Sequence, residues 1–226
     1  MIKIEKTDVW GFEHAVRGVR NPLNSWDKTD SVFSENKDDF FIGKDDMSLM
    51  CRLIKSGPEH RKFMRQIFVA ADIVGPIYFW KEFDQYKIST TTDSCSTMHT
   101  IHKKKFEPDD FSREHLFNIQ RLCTIVDWLN DYRDIYLNWD DKKPFYRDDD
   151  NSPVTKKDVW WQLIQLLPSS YNQKRTWTGN YENLLTMYHQ RKNHKLDEWH
   201  DFCDWIESLP YMKEFLEAAY GQDTEA

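Results

Sequence analysis

Three segments combine charged or amide side chains with aromatic rings in patterns suited to binding anions or planar ligands. They are GPEHRKF (57–63), YFWKEFDQYK (78–87) and NYENLLTMYHQRKNHKLDEW (180–199). Guanidinium groups bind phosphate in two places, and aromatic faces stack on planar ligands. The chemistry that these residue types offer is therefore the binding of a phosphorylated or flat molecule.

The segment 57–63 places His60, Arg61 and Lys62 in front of a strand predicted over 62–74, where β-branched and aromatic residues dominate. A loop that leads into a buried strand can hold a polar side chain in a fixed position. The functional interpretation is an anion or cofactor site. The alternative is a solvated basic loop, and the spacing alone favours that alternative.

The segments 78–87 and 180–199 each allow two interpretations. In the first segment, charged side chains lie among five rings, and the rings form either the wall of a ligand pocket or part of the core. In the second segment, Asn180 can cap the helix that follows, and Arg191 lies near the end of that helix. Arg191 can bind a phosphate or an imide edge, or it can simply stabilise the helix dipole.

The sequence lacks the established motifs for metal binding, for nucleotide binding and for hydrolytic catalysis. Cys95, His99 and His102 have a spacing that matches no closed zinc site. The carboxylates around 148–150 lack the glycine turn and terminal glutamate of a calcium loop. GxGxxG, P-loop, GxSxG and HExxH motifs are all absent. We therefore predict no metal site.

The composition predicts a folded protein with an acidic surface. Lys plus Arg is 31 and Asp plus Glu is 38, so the net charge is −7, and 15% of the 226 residues are aromatic. This aromatic content excludes disorder, and the negative charge disfavours non-specific nucleic-acid binding. No apolar run is long enough to span a membrane, and no signal peptide is recognisable. Four scattered cysteines indicate reduced thiols, so we expect a cytoplasmic protein.

The chain must position these segments with a mixture of helices and a few strands. We predict one domain over 1–226, of the α+β class, with a polar surface excursion at about 24–46. Strands are predicted at 1–6 and 62–74. Helices are predicted from an Asp8 cap to about residue 20, at 46–55 and 77–87, from Ser112 to about 129, and at 155–167, 180–191 and 195–219 with an interruption at Pro210.

The order of these segments resembles the flavin-dependent thymidylate synthase family, also called thymidylate synthase complementing proteins. GPEHRKF followed by MRQIFVAADI is similar to the family's Pro-Phe-x-His loop and strand, and YFWKEFDQYKIS takes the place of its RHR-x7-S signature. GNYENLLTMYHQRKNHKLDEW (179–199) is similar to the family's N-x-R-x-L…LR…HAQ-E helix. The likeness covers about residues 1–20, 46–97 and 166–220, and the order of the motifs carries it.

The sequence departs from the family at its arginines. Aromatic and lysine positions around Phe79, Trp80 and Lys81 replace the two arginines of the signature. Glu182 stands where the family has the arginine of its Asn-x-Arg motif. These losses bear on catalysis more than on the fold.

The resemblance implies a homotetramer of α+β subunits with a small antiparallel sheet, several long helices and active sites at the subunit interfaces. It implies reductive methylation of dUMP to dTMP with FAD, methylenetetrahydrofolate as methylene donor and NADPH as reductant. No enzyme cysteine acts as nucleophile in this family; hydride from the reduced flavin supplies the key step. Nucleic acid and membranes are not expected as partners.

The resemblance also implies which residues bind the substrate. Arg191 matches the family's dUMP-binding arginine, and Lys81 stands in for an arginine of the signature. Ser89 and the hydroxyl groups beside it would donate hydrogen bonds to the phosphate. Tyr86 would contact the bound rings.

Four further residues are assigned to the cofactor by the resemblance. His60 matches a histidine near the flavin, and Asn180 matches the asparagine that hydrogen-bonds it. Tyr78 and Trp80 would stack on the flavin or the pterin.

Two alternatives to an active enzyme remain open on the sequence. One is a catalytically degenerate relative that keeps the fold and the nucleotide or flavin binding. The other is an unrelated helical interaction protein whose aromatic helices pack against partners.

Overall fold

The computed structural model describes residues 1–35 and 39–221. The described strands are β1 (Lys3–Trp10), β2 (Val32–Phe33), β3 (Phe40–Phe41), β4 (Phe68–Pro76), β5 (Thr91–Ser94) and β6 (Asn172–Asn180). The described α-helices are α1 (Phe12–Arg20), α2 (Lys44–Lys55), α3 (Ile77–Phe83), α4 (Thr97–Thr100), α5 (Ile119–Leu137), α6 (Lys156–Leu166), α7 (Tyr181–Arg191), α8 (Asp197–Ser208) and α9 (Met212–Tyr220).

The chain forms two compact units whose segments alternate along the sequence. The smaller unit contains Met1, Val74–Glu82 and Ser94–Lys174. The larger unit contains the described residues of Ile2–Ile73, Phe83–Asp93 and Arg175–Ala226. The prediction of one domain over 1–226 stays a prediction.

The larger unit carries a four-stranded sheet in the order β1-β4-β6-β5. Trp10 near the end of β1 stacks on Phe68 at the start of β4, with 5.7 Å between ring centroids. Earlier in β1, Lys6 pairs with Asp72 further along β4 at 3.9 Å. The earlier residue of β1 thus pairs with the later residue of β4, so the two strands are antiparallel. The α+β class with a small antiparallel sheet is confirmed.

The first helix starts later than the Asp8 cap predicts, because β1 continues to Trp10. Gly11 separates the two elements with φ at +98°, a left-handed conformation that glycine adopts without strain. A Cβ at Gly11 would lie 2.0 Å from the carbonyl oxygen of Gln66. The strand therefore ends, and the helix begins, at a glycine that no other residue can replace without movement of the backbone.

Three other predicted elements differ from the structure. Residues Lys62–Gln66 form a 3₁₀ helix in place of the predicted strand. The consecutive side chains of Phe63 and Met64 are both buried, whereas in a strand they would point to opposite faces of the sheet. The helix predicted from Ser112 begins at Ile119 instead, because the Ser112 N–H donates to the carbonyl oxygen of Ser170 at 2.8 Å. The helix predicted over 77–87 ends at Phe83.

Four predicted helices are confirmed within a few residues, and local signals set their ends. α6 follows Thr155, whose hydroxyl accepts a hydrogen bond from the Asp158 N–H, and α7 follows Asn180 in the same way. α2 matches the helix predicted over 46–55. The long C-terminal helix is divided into α8 and α9 near Pro210, as expected.

The predicted polar excursion at 24–46 is attached to the larger unit through a buried carboxylate, and its residues 36–38 lie outside the described residues. Asp46, with no exposed surface, accepts hydrogen bonds from Arg20 Nε at 2.7 Å, Thr29 Oγ1 at 2.6 Å and Ser31 Oγ at 2.6 Å. Asp46 lies in the first turn of α2. One carboxylate thus joins α1, α2 and the excursion.

The smaller unit has its own apolar core, in which α5 packs against α6. The core is formed by Ile101, Phe106, Phe111, Leu122, Val126, Leu129 and Leu163. Buried Asn130 fixes the neighbouring loop, because its amide exchanges two hydrogen bonds with the backbone of Phe106 at 2.9 and 3.0 Å. Among the described helices of both units, none has the length and apolar content needed to cross a membrane.

Replacing Gly179 with alanine is expected to destabilise the protein by about 1–3 kcal/mol, the usual cost of overpacking a core. A Cβ at this position would lie 2.4 Å from the buried indole of Trp177 on the same strand. Gly18→Ala is the matched control, since its Cβ would meet only the flexible end of the Gln66 side chain. Urea unfolding measures both variants, and equal stability of the two would contradict this packing.

Candidate functional site

Asn180 lies at the start of α7 and caps it. Its Oδ1 accepts a hydrogen bond from the Asn183 N–H at 3.0 Å, and Asn183 Oδ1 accepts one from the Asn180 N–H at 3.1 Å. Asn180 is 2% exposed. The predicted cap is confirmed, and it commits the side-chain oxygen of Asn180 to the helix.

The last turn of α7 carries Arg191 between two aromatic rings, an arrangement that we call the Arg191 cluster (Arg191, Tyr86, Gln190 and Trp199). Arg191 Nε donates to the Tyr86 hydroxyl at 2.8 Å, and that hydroxyl donates to Gln190 Oε1 at 2.9 Å. The guanidinium carbon lies 4.8 Å from the centre of the Trp199 ring. Cation–π contacts and the hydrogen bond therefore hold the guanidinium in one orientation.

A second contact attaches the segment 83–92 to the first turn of α7. The Asn183 amide nitrogen donates to the carbonyl oxygen of Ile88 at 2.9 Å. Ser89, the next residue, is exposed and has φ at +59°, a left-handed conformation that costs a serine energy. Strained residues cluster at functional sites. Helix α7 thus contacts predicted site residues at both of its ends, with Asn180 and the segment of Ser89 at its first turn and Tyr86 and Arg191 at its last turn.

The segment 83–92 borders a cavity of about 350 Å³. Its walls combine a lysine ammonium, three hydroxyls, two aromatic rings and one carboxylate, from Phe83, Asp84, Tyr86, Lys87, Thr90 and Thr92. The carboxylate of Asp84 is paired with Arg175 at 2.6 Å. The Thr90 hydroxyl donates to the carbonyl oxygen of Tyr86 at 2.6 Å. The Lys87 ammonium and the Thr92 hydroxyl are therefore the groups of this cavity that suit the phosphate end of a nucleotide. The sequence pointed to the hydroxyls near Ser89, but Lys87 was missed.

The loop 57–63 meets the other end of α7. His60 is half exposed, with Nε2 3.7 Å from a carboxylate oxygen of Glu59. Arg61 Nε lies 3.1 and 3.0 Å from the two carboxylate oxygens of Glu182, in the first turn of α7. From Glu182 to Arg191 the helix rises about 14 Å. Within one chain, the loop of His60 and the Arg191 cluster are therefore attached to opposite ends of α7.

The pair of Arg61 and Glu182 explains one departure from the family motif. Glu182 occupies the position at which the resembled helix carries an arginine, and Arg61 from the loop lies against it. Both side chains are largely buried, at 12% and 14% exposure. Glu182 is thus neutralised by an arginine from a different segment, a pairing that no pattern in a single sequence could reveal.

The remaining predicted residues lie in the smaller unit. Lys81 is exposed and Tyr78 is half-buried. Trp80 is 1% exposed, and its indole N–H lies 2.9 Å from the carbonyl oxygen of Gly75 and 3.0 Å from that of Gln173. A ring this buried belongs to the core, so the expectation that Trp80 stacks on a flavin does not fit its place in the chain. Its hydrogen-bonded indole explains why an aromatic residue suits this position.

The cysteines and histidines do not form a metal centre in the described parts of the chain. Among residues 1–35 and 39–221, no three His, Cys, Asp or Glu side chains are grouped closely enough to hold an ion. All four cysteines are free thiols. Burial, with help from Asp204 and Glu207, raises the pKa of the Cys203 thiol to about 12. Cys203 is therefore a protonated, unreactive thiol at neutral pH.

Comparison with solved structures identifies the fold. A crystal structure of thymidylate synthase X (ThyX) from Helicobacter pylori with FAD and dUMP has a TM-score of 0.67 and 14% identity, covering 97% of this chain and 99% of that one. A structure of flavin-dependent thymidylate synthase ThyX from the same organism, complexed with FAD and dUMP, has a TM-score of 0.66 and 14% identity, covering 95% and 97%. No protein-family model and no curated protein matches the sequence. The predicted resemblance is confirmed at the level of the fold.

Proposed function

We propose that this chain, which has the ThyX fold over nearly its whole length, is a flavin-dependent thymidylate synthase-like enzyme that converts dUMP to dTMP. The observation that carries the proposal is the Arg191 cluster. It presents an oriented guanidinium next to a cavity with phosphate-binding groups, and Tyr86 belongs to both. The solved structures of the same fold contain FAD and dUMP, which supports nucleotide binding by a chain of this fold.

In this proposal, Arg191 and the segment 83–92 bind the nucleotide. Arg191 neutralises the phosphate or binds the edge of the pyrimidine. The hydrogen bond to the Tyr86 hydroxyl keeps the guanidinium in a fixed orientation. Lys87 provides the remaining positive charge, and the hydroxyls of Ser89 and Thr92 provide donors for the phosphate. Binding by oriented groups lowers the entropic cost of bringing the reacting rings together.

The residues assigned to FAD fit it only in part. The exposed imidazole of His60 is available for a polar contact, whereas the oxygen of Asn180 is used by the cap of α7. Tyr78 is half-buried, and we leave Trp80 out of the site. When bound, FAD supplies the hydride, with NADPH as the reductant and methylenetetrahydrofolate as the methylene donor.

Self-association would complete such a site. His60 and Arg191 are attached to opposite ends of α7, about 14 Å apart along the helix axis. In a homotetramer, a copy of the chain can supply the loop of His60 to the Arg191 cluster of another. The four free thiols are in keeping with a cytoplasmic location.

Complementation of a thymidine-requiring bacterial strain tests the enzymatic proposal. Expression of the chain is expected to restore growth without thymidine, and the Arg191→Ala variant is expected to fail at equal expression. Growth that depends on the chain but is unaffected by Arg191→Ala would remove the Arg191 cluster from the active site. No growth, together with measurable dUMP binding, would favour the second candidate.

The second candidate is a catalytically degenerate relative that keeps nucleotide or flavin binding. A specific observation favours it: Phe79, at a position of the signature arginines, has no exposed surface and cannot present a charge. Glu182 replaces a further arginine and is paired with Arg61. The third interpretation, an unrelated helical interaction protein, is not supported, because the sheet and the fold comparison place the chain with ThyX structures.

A further inference from the structure

The smaller unit has a groove on its surface that plays no part in the proposed reaction. Its volume is about 540 Å³, within the usual range for small-molecule sites. Three separate segments line it with His99, His102, Tyr136, Lys156, Lys157 and Trp160. We call this surface the lysine–histidine groove.

The charge of the lysine–histidine groove is opposite to that of the chain as a whole. The net charge of the protein is −7, yet no carboxylate lines the groove. Lys156 and Lys157 are exposed in the first turn of α6, and in the described residues neither they nor the two histidines form an ion pair. The nearest acid in sequence, Asp158, is bound by Thr155 and Arg147. Unpaired cations that share one concave surface favour an anionic ligand.

The rings of the lysine–histidine groove add a planar binding surface. The Lys156 ammonium lies 4.9 Å from the centre of the Tyr136 ring, and the His102 ring lies 4.9 Å from the same ring. The Trp160 indole N–H lies 3.3 Å from the carbonyl oxygen of Met98, which fixes the orientation of the half-buried indole. Ordered rings stack on flat ligands at little entropic cost.

One buried polar atom in the groove has no partner. His102 Nδ1 is buried and makes no hydrogen bond within the described part of the chain. Buried polar atoms are almost always paired, so an orphan of this kind requires an explanation. Because this atom has almost no accessible surface, a ligand supplies the missing partner only if the His102 ring turns toward the groove that it lines. His99 and His102, whose spacing with Cys95 matches no closed zinc site, both line the groove.

We propose that the lysine–histidine groove binds a nucleotide. Lys156, Lys157 and His99 hold its phosphate, and its base stacks against Trp160 or Tyr136. A phosphate accounts for the positive charge without an ion-pair partner, and a base would cover the exposed part of the half-buried Trp160 or Tyr136 ring. None of these residues belongs to the Arg191 cluster, so the proposal does not depend on the proposed function.

Calorimetric titration of the full chain at low ionic strength tests the proposal with AMP, adenosine and inorganic phosphate as probes. AMP is expected to bind, and adenosine and phosphate alone are each expected to bind at least about tenfold more weakly, since each keeps only one of the two interactions. The double variant Lys156→Ala/Lys157→Ala should lower AMP affinity at least about tenfold. Both lysines are exposed, so the variant should keep the circular dichroism spectrum of the parent.

Two controls separate this site from others on the chain. Lys142→Ala/Lys143→Ala removes another pair of consecutive exposed lysines, which lies outside the groove. Arg191→Ala removes the proposed dUMP contact. Both should leave AMP affinity within about twofold. The proposal is overturned if AMP does not bind or if Lys156→Ala/Lys157→Ala leaves its affinity unchanged. Equal binding of AMP and adenosine, equal binding of AMP and phosphate, or loss of AMP binding in Arg191→Ala would overturn it as well.

Discussion

Replacing Asp46 with alanine is expected to lower the free energy of unfolding by about 3–5 kcal/mol, the cost of removing one partner from a buried ion pair. Arg20, whose side chain is 7% exposed, would keep a buried charge without a counter-ion. The hydroxyls of Thr29 and Ser31 would also lose their acceptor. Urea unfolding at neutral pH measures the effect.

Asp45→Ala is the matched control for Asp46→Ala. Asp45 precedes Asp46 in the first turn of α2 and is exposed, so only a weak interaction with the helix dipole is lost. Its variant should lose less than about 1 kcal/mol. Similar losses for the two variants would mean that the Asp46 network does not stabilise the fold.

The same carboxylate makes stability depend on pH. Burial opposes the ionisation of Asp46, but hydrogen bonds from Ser31, Thr29 and Arg20 outweigh it and hold its pKa below the usual value. Because the pKa is lower in the folded state, the stabilisation is present above the unfolded pKa of about 4 and disappears as the pH falls through the folded pKa. The stability difference between the parent and Asp46→Asn should therefore shrink between about pH 5 and pH 2.

Replacing Arg191 with alanine is expected to weaken dUMP binding by about 1.5–3 kcal/mol, which corresponds to roughly 10- to 150-fold in affinity. The guanidinium is oriented by the Tyr86 hydroxyl and lies on the Trp199 ring, so the change removes a fixed, charged hydrogen-bond donor. Calorimetric titration of dUMP into the FAD-supplemented protein measures the change.

Two variants separate the roles of charge and geometry at this position. Lys192→Ala removes the adjacent cation at the end of α7, which takes no part in the Arg191 cluster, and should change dUMP affinity less than about twofold. Arg191→Lys keeps the charge but loses the planar fork, so its affinity should fall between those of the parent and Arg191→Ala. Equal weakening by Lys192→Ala and Arg191→Ala would show that only the overall positive charge matters.

Elements with local signals could be predicted from the sequence. Helices α6 and α7 begin after Thr155 and Asn180, whose side chains cap them. The start of α1 was misplaced because Asp8 is also a good capping residue, while Gly11 is required by its contact with Gln66, far along the chain. A capping preference can be recognised within four consecutive residues. The close approach of two backbone segments that are distant in sequence cannot be recognised in this way.

Strand β6 could not be predicted, although it lies inside the sheet. Its sequence, NQKRTWTGN, contains one large apolar residue, Trp177, and lacks the alternation that marks a half-buried strand. Pairing with β4 on one side and β5 on the other defines the strand. Such pairing depends on segments distant in sequence.

The grouping of the candidate site residues stays a prediction. The motif order predicts one site for Arg191, Asn180 and Ser89, whereas the structure attaches Asn180 and the segment of Ser89 to the first turn of α7, and Arg191 with Tyr86 to its last turn. The exchange of charge between Glu182 and Arg61 could not be anticipated, because the two residues lie far apart in the sequence. Trp80 was assigned to a ligand because a ring in a mixed polar segment gives no sign of its burial.

The absorbance spectrum of the purified protein, recorded with added FAD and then with added dUMP, tests the central claim most directly. The account predicts that FAD remains bound after gel filtration and that dUMP perturbs the flavin bands in the parent but far less in Arg191→Ala. A colourless protein that takes up no FAD at micromolar concentration and gives no response to dUMP would contradict it.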